Sequence, residues 1–165
     1  MAIMRMLKHL CATRGGTRRR FSSEVIDAIE QAAASAEQRT SGEIRFAVDT
    51  ALDIPELWAG KSPRECAHEA FAHLRVWDSE LNNGVLIYVL MADRDVEIVA
   101  DRGLGIRISP IEWEAACRLM ESHFREGRFK EGAIAGVEAV GGLLERAFPS
   151  RSVDRDELPN QPALL

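Results

Sequence analysis

A chain of 165 residues, 46 % apolar and 28 % charged, is sized for one globular domain with its own hydrophobic core. No apolar stretch approaches the roughly 20 residues that a transmembrane helix needs. The net charge of −5 conceals an asymmetry, because residues 1–20 carry six basic side chains and no acid, leaving −11 on the rest.

The basic arm contains Arg5, Lys8, Arg14, Arg18, Arg19 and Arg20. Its longest apolar run is too short for a secretory signal, and its composition is closer to a transit peptide. Met4, Leu7, Leu10 and Cys11 recur at helical spacing and suit a short helix docked on the core. Such an arm can meet an anionic lipid surface peripherally, a protein, or the acidic body of its own chain. The absence of aromatic interleaving and of a nucleic-acid motif argues against nucleic acid. Cys11, Cys66 and Cys117 are too far apart for a zinc pair and odd in number, which points to a reducing, cytoplasmic compartment.

A helix is expected after Phe21-Ser22, with Val25, Ile26, Ile29, Ala33 and Ala36 as its inward stripe. Glu43-Ile44-Arg45-Phe46-Ala47-Val48-Asp49 alternates as a strand. After a loop over 50–61, Ser62-Pro63-Arg64-Glu65 opens a second helix, with Cys66, Ala67, Ala70, Phe71, Leu74 and Trp77 inward. The apolar run from Val85 to Met91 then reads as a strand buried on both faces, followed by a polar turn and an alternating strand from Val96 to Asp101. Ser109-Pro110-Ile111-Glu112 opens a third long helix, with Ile111, Ala115, Leu119 and Phe124 inward. A fourth runs from about Lys130 to Phe148.

This order predicts an α/β/α sandwich, a small mixed β-sheet flanked by helices. A right-handed crossover makes the first two strands parallel, and the second strand central. Residues 1–20 form the arm, 21–149 the domain and 150–165 a flexible C-terminal tail.

Chemistry narrows to one sheet edge. His68 and His73 resemble a zincin pair, but five residues of helix turn them about 140° apart, so they cannot share a zinc ion. Asp101-Arg102-Gly103-Leu104-Gly105 lacks both the third glycine of a dinucleotide fingerprint and the lysine of a P-loop, so no nucleotide or organic cofactor is expected. It reads as a turn with one or two left-handed glycines. Asp93-Arg94-Asp95 reads as an ordinary turn, and Trp58, Trp77 and Trp113 as packing residues. Hairpin register brings Asn82 and Asn83 beside Asp101 and Arg102, and a parallel first strand adds Glu43. Together with Asp78, these oxygens are of the hard type that Ca²⁺ or Mg²⁺ takes. Arg102 is suited to hold a phosphate, and Asp101 and Arg102 are the catalytic candidates. The alternative is a solvated rim of turn caps.

Ser41-Gly42-Glu43-Ile44, Ala70-Phe71, Asn82-Asn83-Gly84-Val85-Leu86-Ile87, Asp93-Arg94, Val96-Glu97-Ile98, Gly103-Leu104-Gly105 and Gly127-Arg128-Phe129 occur in one order. That combination, over residues 40–148, resembles the TPM domain family of thylakoid-lumen and photosystem II repair proteins, in its small soluble bacterial branch. The resemblance implies an α/β/α sandwich and, depending on the member, a divalent-cation binder, a weak acid phosphatase or an accessory protein with a LemA-type partner. Ile106-Arg107-Ile108 stands where many relatives carry an acid, which weakens the phosphatase implication. The first expectation is therefore a binding or accessory module with a divalent cation at the sheet edge. The alternatives are a metal-dependent phosphomonoesterase, and a protein-interaction module using the basic arm.

Overall fold

Short polar residues followed by proline set where three helices begin. Asp53, Ser62 and Ser109 precede Pro55, Pro63 and Pro110, and Glu56, Glu65 and Glu112 each fold back to accept the backbone N–H of the preceding cap residue. The computed structural model describes residues 2–150 and 158–165. In chain order these form α1 (Ala2–Cys11), α2 (Arg14–Arg20), α3 (Ser23–Glu37), β1 (Glu43–Asp49), α4 (Ile54–Trp58), α5 (Pro63–His73), β2 (Gly84–Leu90), β3 (Asp95–Ala100), α6 (Pro110–Arg125), α7 (Phe129–Ala147) and β4 (Ala163–Leu164).

The sheet order is β3-β2-β1-β4. β1 and β2 are parallel, β2 and β3 antiparallel, and β4 runs parallel to β1. Every residue of β2 is buried, as its unbroken apolar run requires of a central strand. Ile44, Phe46, Val48, Val85, Ile87, Val89, Val96 and Ile98 pack on one face against side chains of α3, α6 and α7. Ala47, Leu86, Tyr88, Leu90 and Val99 pack on the other against α5, with Leu52 and Leu158. The predicted α/β/α sandwich with a small mixed sheet is therefore the observed one.

Several details differ from expectation. The inward stripe of α6 is Ala116, Met120 and Phe124, supported by Trp113 and Cys117, whereas Ile111, Ala115 and Leu119 face solvent. Two overlapping apolar stripes lie along this helix, and the aromatic contacts of Phe124 with Phe21 and Phe129 select the one that packs. Trp58 and Trp77 are exposed, and Trp77 lies past the end of α5. Residues 158–165, expected to be part of a flexible tail, lie along β1. Leu158 is buried, and the Arg45 guanidinium donates to the carbonyls of Pro159 and Gln161. The remainder of that expected tail, 151–157, falls outside the described residues.

The arm is helical but is seated the opposite way from its apolar stripe. Arg5 and His9 face the body: His9 is buried and its Nδ1 accepts the Leu52 N–H at 2.9 Å, with Nε2 3.1 Å from the Asp93 carboxylate. Arg5 reaches the same carboxylate at 2.9 Å. Polar anchoring has overridden the docking that hydrophobic spacing suggested.

Candidate functional site at the sheet edge

Strand register builds the site. Glu43 pairs with Gly84, and Asp101 follows Ala100, the residue before it on β3 that pairs with Val85. The Asp101 N–H donates to the Gly84 carbonyl at 2.9 Å, extending the ladder by one residue. Glu43, Gly84 and Asp101 thus form one row. Alternation puts Glu43 on the face of Ala47 and Asp101 on the face of Val99, and both of those residues pack toward α5. The two carboxylates share a sheet face, with Cα atoms two strand spacings apart, about 10 Å.

Gly84 separates them because nothing larger fits. A Cβ there would lie 2.2 Å from the Val76 carbonyl oxygen, so that oxygen stands over the row. The loop that carries Val76 is shaped by Arg75 and Asn82, both at positive φ. Gly103 is similarly restricted: a Cβ would meet the Asn82 carbonyl oxygen at 2.5 Å, and the Gly103 N–H donates to that oxygen at 3.0 Å. Neither Gly103 nor Gly105 is left-handed, so close backbone approach, and not the expected conformation, explains Gly103.

Asp101 is only 8 % exposed. Its Oδ1 accepts the Arg102 N–H at 2.7 Å, while its buried Oδ2 has no hydrogen-bond partner among the described residues. Glu43 is also buried and accepts the Leu158 N–H at 3.2 Å. Asn83 is buried, but its side-chain amide donates to the Ser41 carbonyl, pinning the start of β2 to the chain entering β1. Asn82 contributes its carbonyl to the Gly103 turn. Asp78 is exposed two residues beyond Val76, its N–H donating to Arg75. Arg102 is exposed, and its guanidinium forms no ion pair among the described residues. The edge therefore brings Glu43 and Asp101 to one face, with Arg102 beside them. Among the described residues, no group of three or more His, Cys, Asp or Glu side chains is arranged to hold a metal ion.

Two contributors to the edge, and one titratable group remote from it, escaped sequence reasoning. The Val76 carbonyl carries no side-chain signature, and the Leu158 N–H reaches Glu43 across 115 positions of chain. The third lies at the far end of the hairpin. Burial, reinforced by Glu97, Glu121 and Asp93, pushes the Asp95 carboxyl up to about 6, with Arg5 opposing. Alternating acids in a predicted strand were the available signal. The cysteines offer no nucleophile there: burial pushes Cys66 up to about 11 and Cys117 up to about 12, keeping both as thiols near neutral pH.

A four-stranded mixed sheet between two helical layers, with a buried carboxylate at one sheet edge, defines a small α/β/α sandwich domain. Residues 18–143 match the family model of the TPM domain. The chain belongs to that family. It is similar over 87 % of its length, at 33 % identity and a TM-score of 0.77, to the BA42 protein of the psychrophilic bacterium Bizionia argentinensis, of which 94 % is covered. The N-terminal domain of the cg2496 protein of Corynebacterium glutamicum shares the fold at 16 % identity and a TM-score of 0.56, covering 82 % of each chain. The N-terminal domain of a P. gingivalis protein does so at 21 % identity and a TM-score of 0.55, over 79 % of this chain and 82 % of that one. No curated protein matches the sequence. Among the described residues, no helix is long and apolar enough to cross a membrane.

Proposed function

We propose that this TPM domain is a binding or accessory module that takes a divalent cation, Ca²⁺ or Mg²⁺, at the sheet edge. The buried Asp101 Oδ2, without a hydrogen-bond partner among the described residues, carries this reading, since a desolvated carboxylate oxygen calls for a cation. Glu43 adds negative charge on the same face, and the Val76 carbonyl adds a neutral oxygen, the donor chemistry that hard cations prefer. Asp78 and Asn82 belong to the outer part of the site, while Asn83 holds the chain behind it through the Ser41 carbonyl. A LemA-type protein partner belongs to the same reading through the family resemblance.

Thermal unfolding with and without each cation tests it. At a cation concentration about tenfold above Kd, the wild type gains about 4 °C, and Asp101→Asn loses that gain. No response in the wild type, or an equal response in the variant, overturns the reading. Arg102, beside Asp101 and in no ion pair among the described residues, favours a second reading, metal-dependent phosphomonoester hydrolysis, with Arg102 holding the phosphate. Cation-dependent turnover of p-nitrophenyl phosphate, lost in Asp101→Asn and Arg102→Gln, selects the enzyme. Cation binding without turnover selects the module.

A further inference from the structure

On α1, Ile3, Met4, Leu7 and Leu10 are 78 %, 65 %, 52 % and 59 % exposed. With Cys11, also exposed, they fill an arc of about 120° at 100° per residue. The opposite side of the helix, through Arg5 and His9, is the side held to the body. The helix is thus anchored by polar groups and turns its whole apolar stripe to solvent, the reverse of an ordinary surface helix.

Charges on α1 and on α2, the next helix in the chain, point to the occupant of the arc. Lys8, Arg14, Arg18 and Arg19 are exposed, and among the described residues none pairs with a carboxylate. Among the described residues, the acidic body thus leaves these cations unneutralised. Beyond Cys11 the arc meets a cleft of about 620 Å³ whose lining includes Lys8, Arg20, Arg94 and Phe129. Arg20 lies over the Phe129 ring at 5.5 Å. An apolar arc flanked by lysine and arginine is the arrangement by which a helix lies in the plane of a membrane interface. Its aliphatic side chains suit the acyl boundary, and the cations suit anionic headgroups.

We infer that α1 is a peripheral docking helix for an anionic lipid bilayer, inserting Ile3, Met4, Leu7 and Leu10 while Lys8 and the arginines of α2 contact lipid phosphates. A ten-residue helix is marginal alone, but here the Asp93 anchor holds it formed before contact, so its ordering does not count against binding. This inference goes beyond the cation site and does not depend on it.

Flotation of the full chain with vesicles tests it. Phosphatidylcholine vesicles containing roughly one-third phosphatidylglycerol should retain the wild type at least about tenfold better than pure phosphatidylcholine. Leu7→Gln/Leu10→Gln should lose about tenfold in binding, as should Arg14→Gln/Arg18→Gln/Arg19→Gln, with unchanged circular dichroism because all five side chains are exposed. A polarity-sensitive dye on Cys11, the exposed thiol, should shift to the blue on the anionic vesicles in the otherwise unmutated chain. Lack of binding by the wild type, equal retention on neutral vesicles, no dye shift, or undiminished binding by the leucine variant each overturns the proposal. So does a dimer in solution that the leucine variant dissociates, which would assign the arc to a second copy.

Discussion

Backbone oxygens hold Gly84 and Gly103 to glycine, and a backbone cannot swing aside as a long side chain can. Gly84→Ala must displace the Val76 carbonyl from 2.2 Å, which is expected to cost about 2–3 kcal/mol in urea unfolding. Asp95 acts in the opposite direction. Its carboxyl is pushed up from an ordinary value of 3.8 to about 6, so between those values the folded state binds more protons than the unfolded state. Stability therefore falls as pH rises through that window, and the penalty persists above it. Asp95→Asn removes the penalty: its urea midpoint should draw ahead of the wild type between about pH 4 and 6 and keep that lead at pH 7, at about 1 kcal/mol. A constant difference across that range would contradict the assignment. Aspartate in a turn-strand junction was visible in the sequence, but its burial beside Glu97 and Glu121 was not, because Glu121 comes from α6.

At the scale of the element, capping and periodicity carried most of the information. The Ser-Pro-x-Glu openings of α5 and α6 begin where expected, and the α3 stripe from Val25 to Ala36 is buried throughout. Periodicity failed where a helix carries two stripes, as in α6, or where polar anchors compete with apolar ones, as in α1. His9→Ala tests the second case. It leaves the Leu52 N–H without its buried acceptor and removes one of two contacts to Asp93. Hydrogen exchange of residues 2–11 should accelerate at least about tenfold while β2 amides stay protected. Unchanged exchange in α1 would show that Arg5 alone seats the helix. The outer edge of β3 is also managed by side chains: Arg64 donates to the Ile98 carbonyl and Glu121 accepts the Val96 N–H, blocking edge pairing with another chain.

Across the whole molecule, the C-terminal segment ties the candidate site to the fold. Residues 158–165 cap Glu43, occupy the Arg45 guanidinium, bury Leu158 and add β4 to the edge of β1. Removing them exposes that apolar surface and leaves Glu43 and Arg45 without these partners. The truncated chain should lose about 2–4 kcal/mol and several degrees in thermal unfolding. A truncated chain as stable as the full one would show that the segment is an ornament of the sheet and not part of its support.

The division between legible and hidden features follows from the range of the forces involved. Local spacing determined α3, α5, α6 and α7, the three long strands, the parallel pairing of β1 with β2 and the central place of β2, because turn chemistry and hydrophobic period act within a few residues; it missed α2 and also α4, which lies inside the expected loop over 50–61. It also brought Glu43, Asn83 and Asp101 to one edge. Which of those side chains share a face depended on register. Asn83 was committed to the Ser41 carbonyl, Asp101 kept a buried oxygen without a hydrogen-bond partner among the described residues, and the Val76 carbonyl came over Gly84. The seating of α1 on Asp93 and of the C-terminal segment on β1 likewise required contacts across most of the chain. Such contacts are selected by the desolvation of polar groups in the assembled fold, and no local pattern of residues encodes that cost.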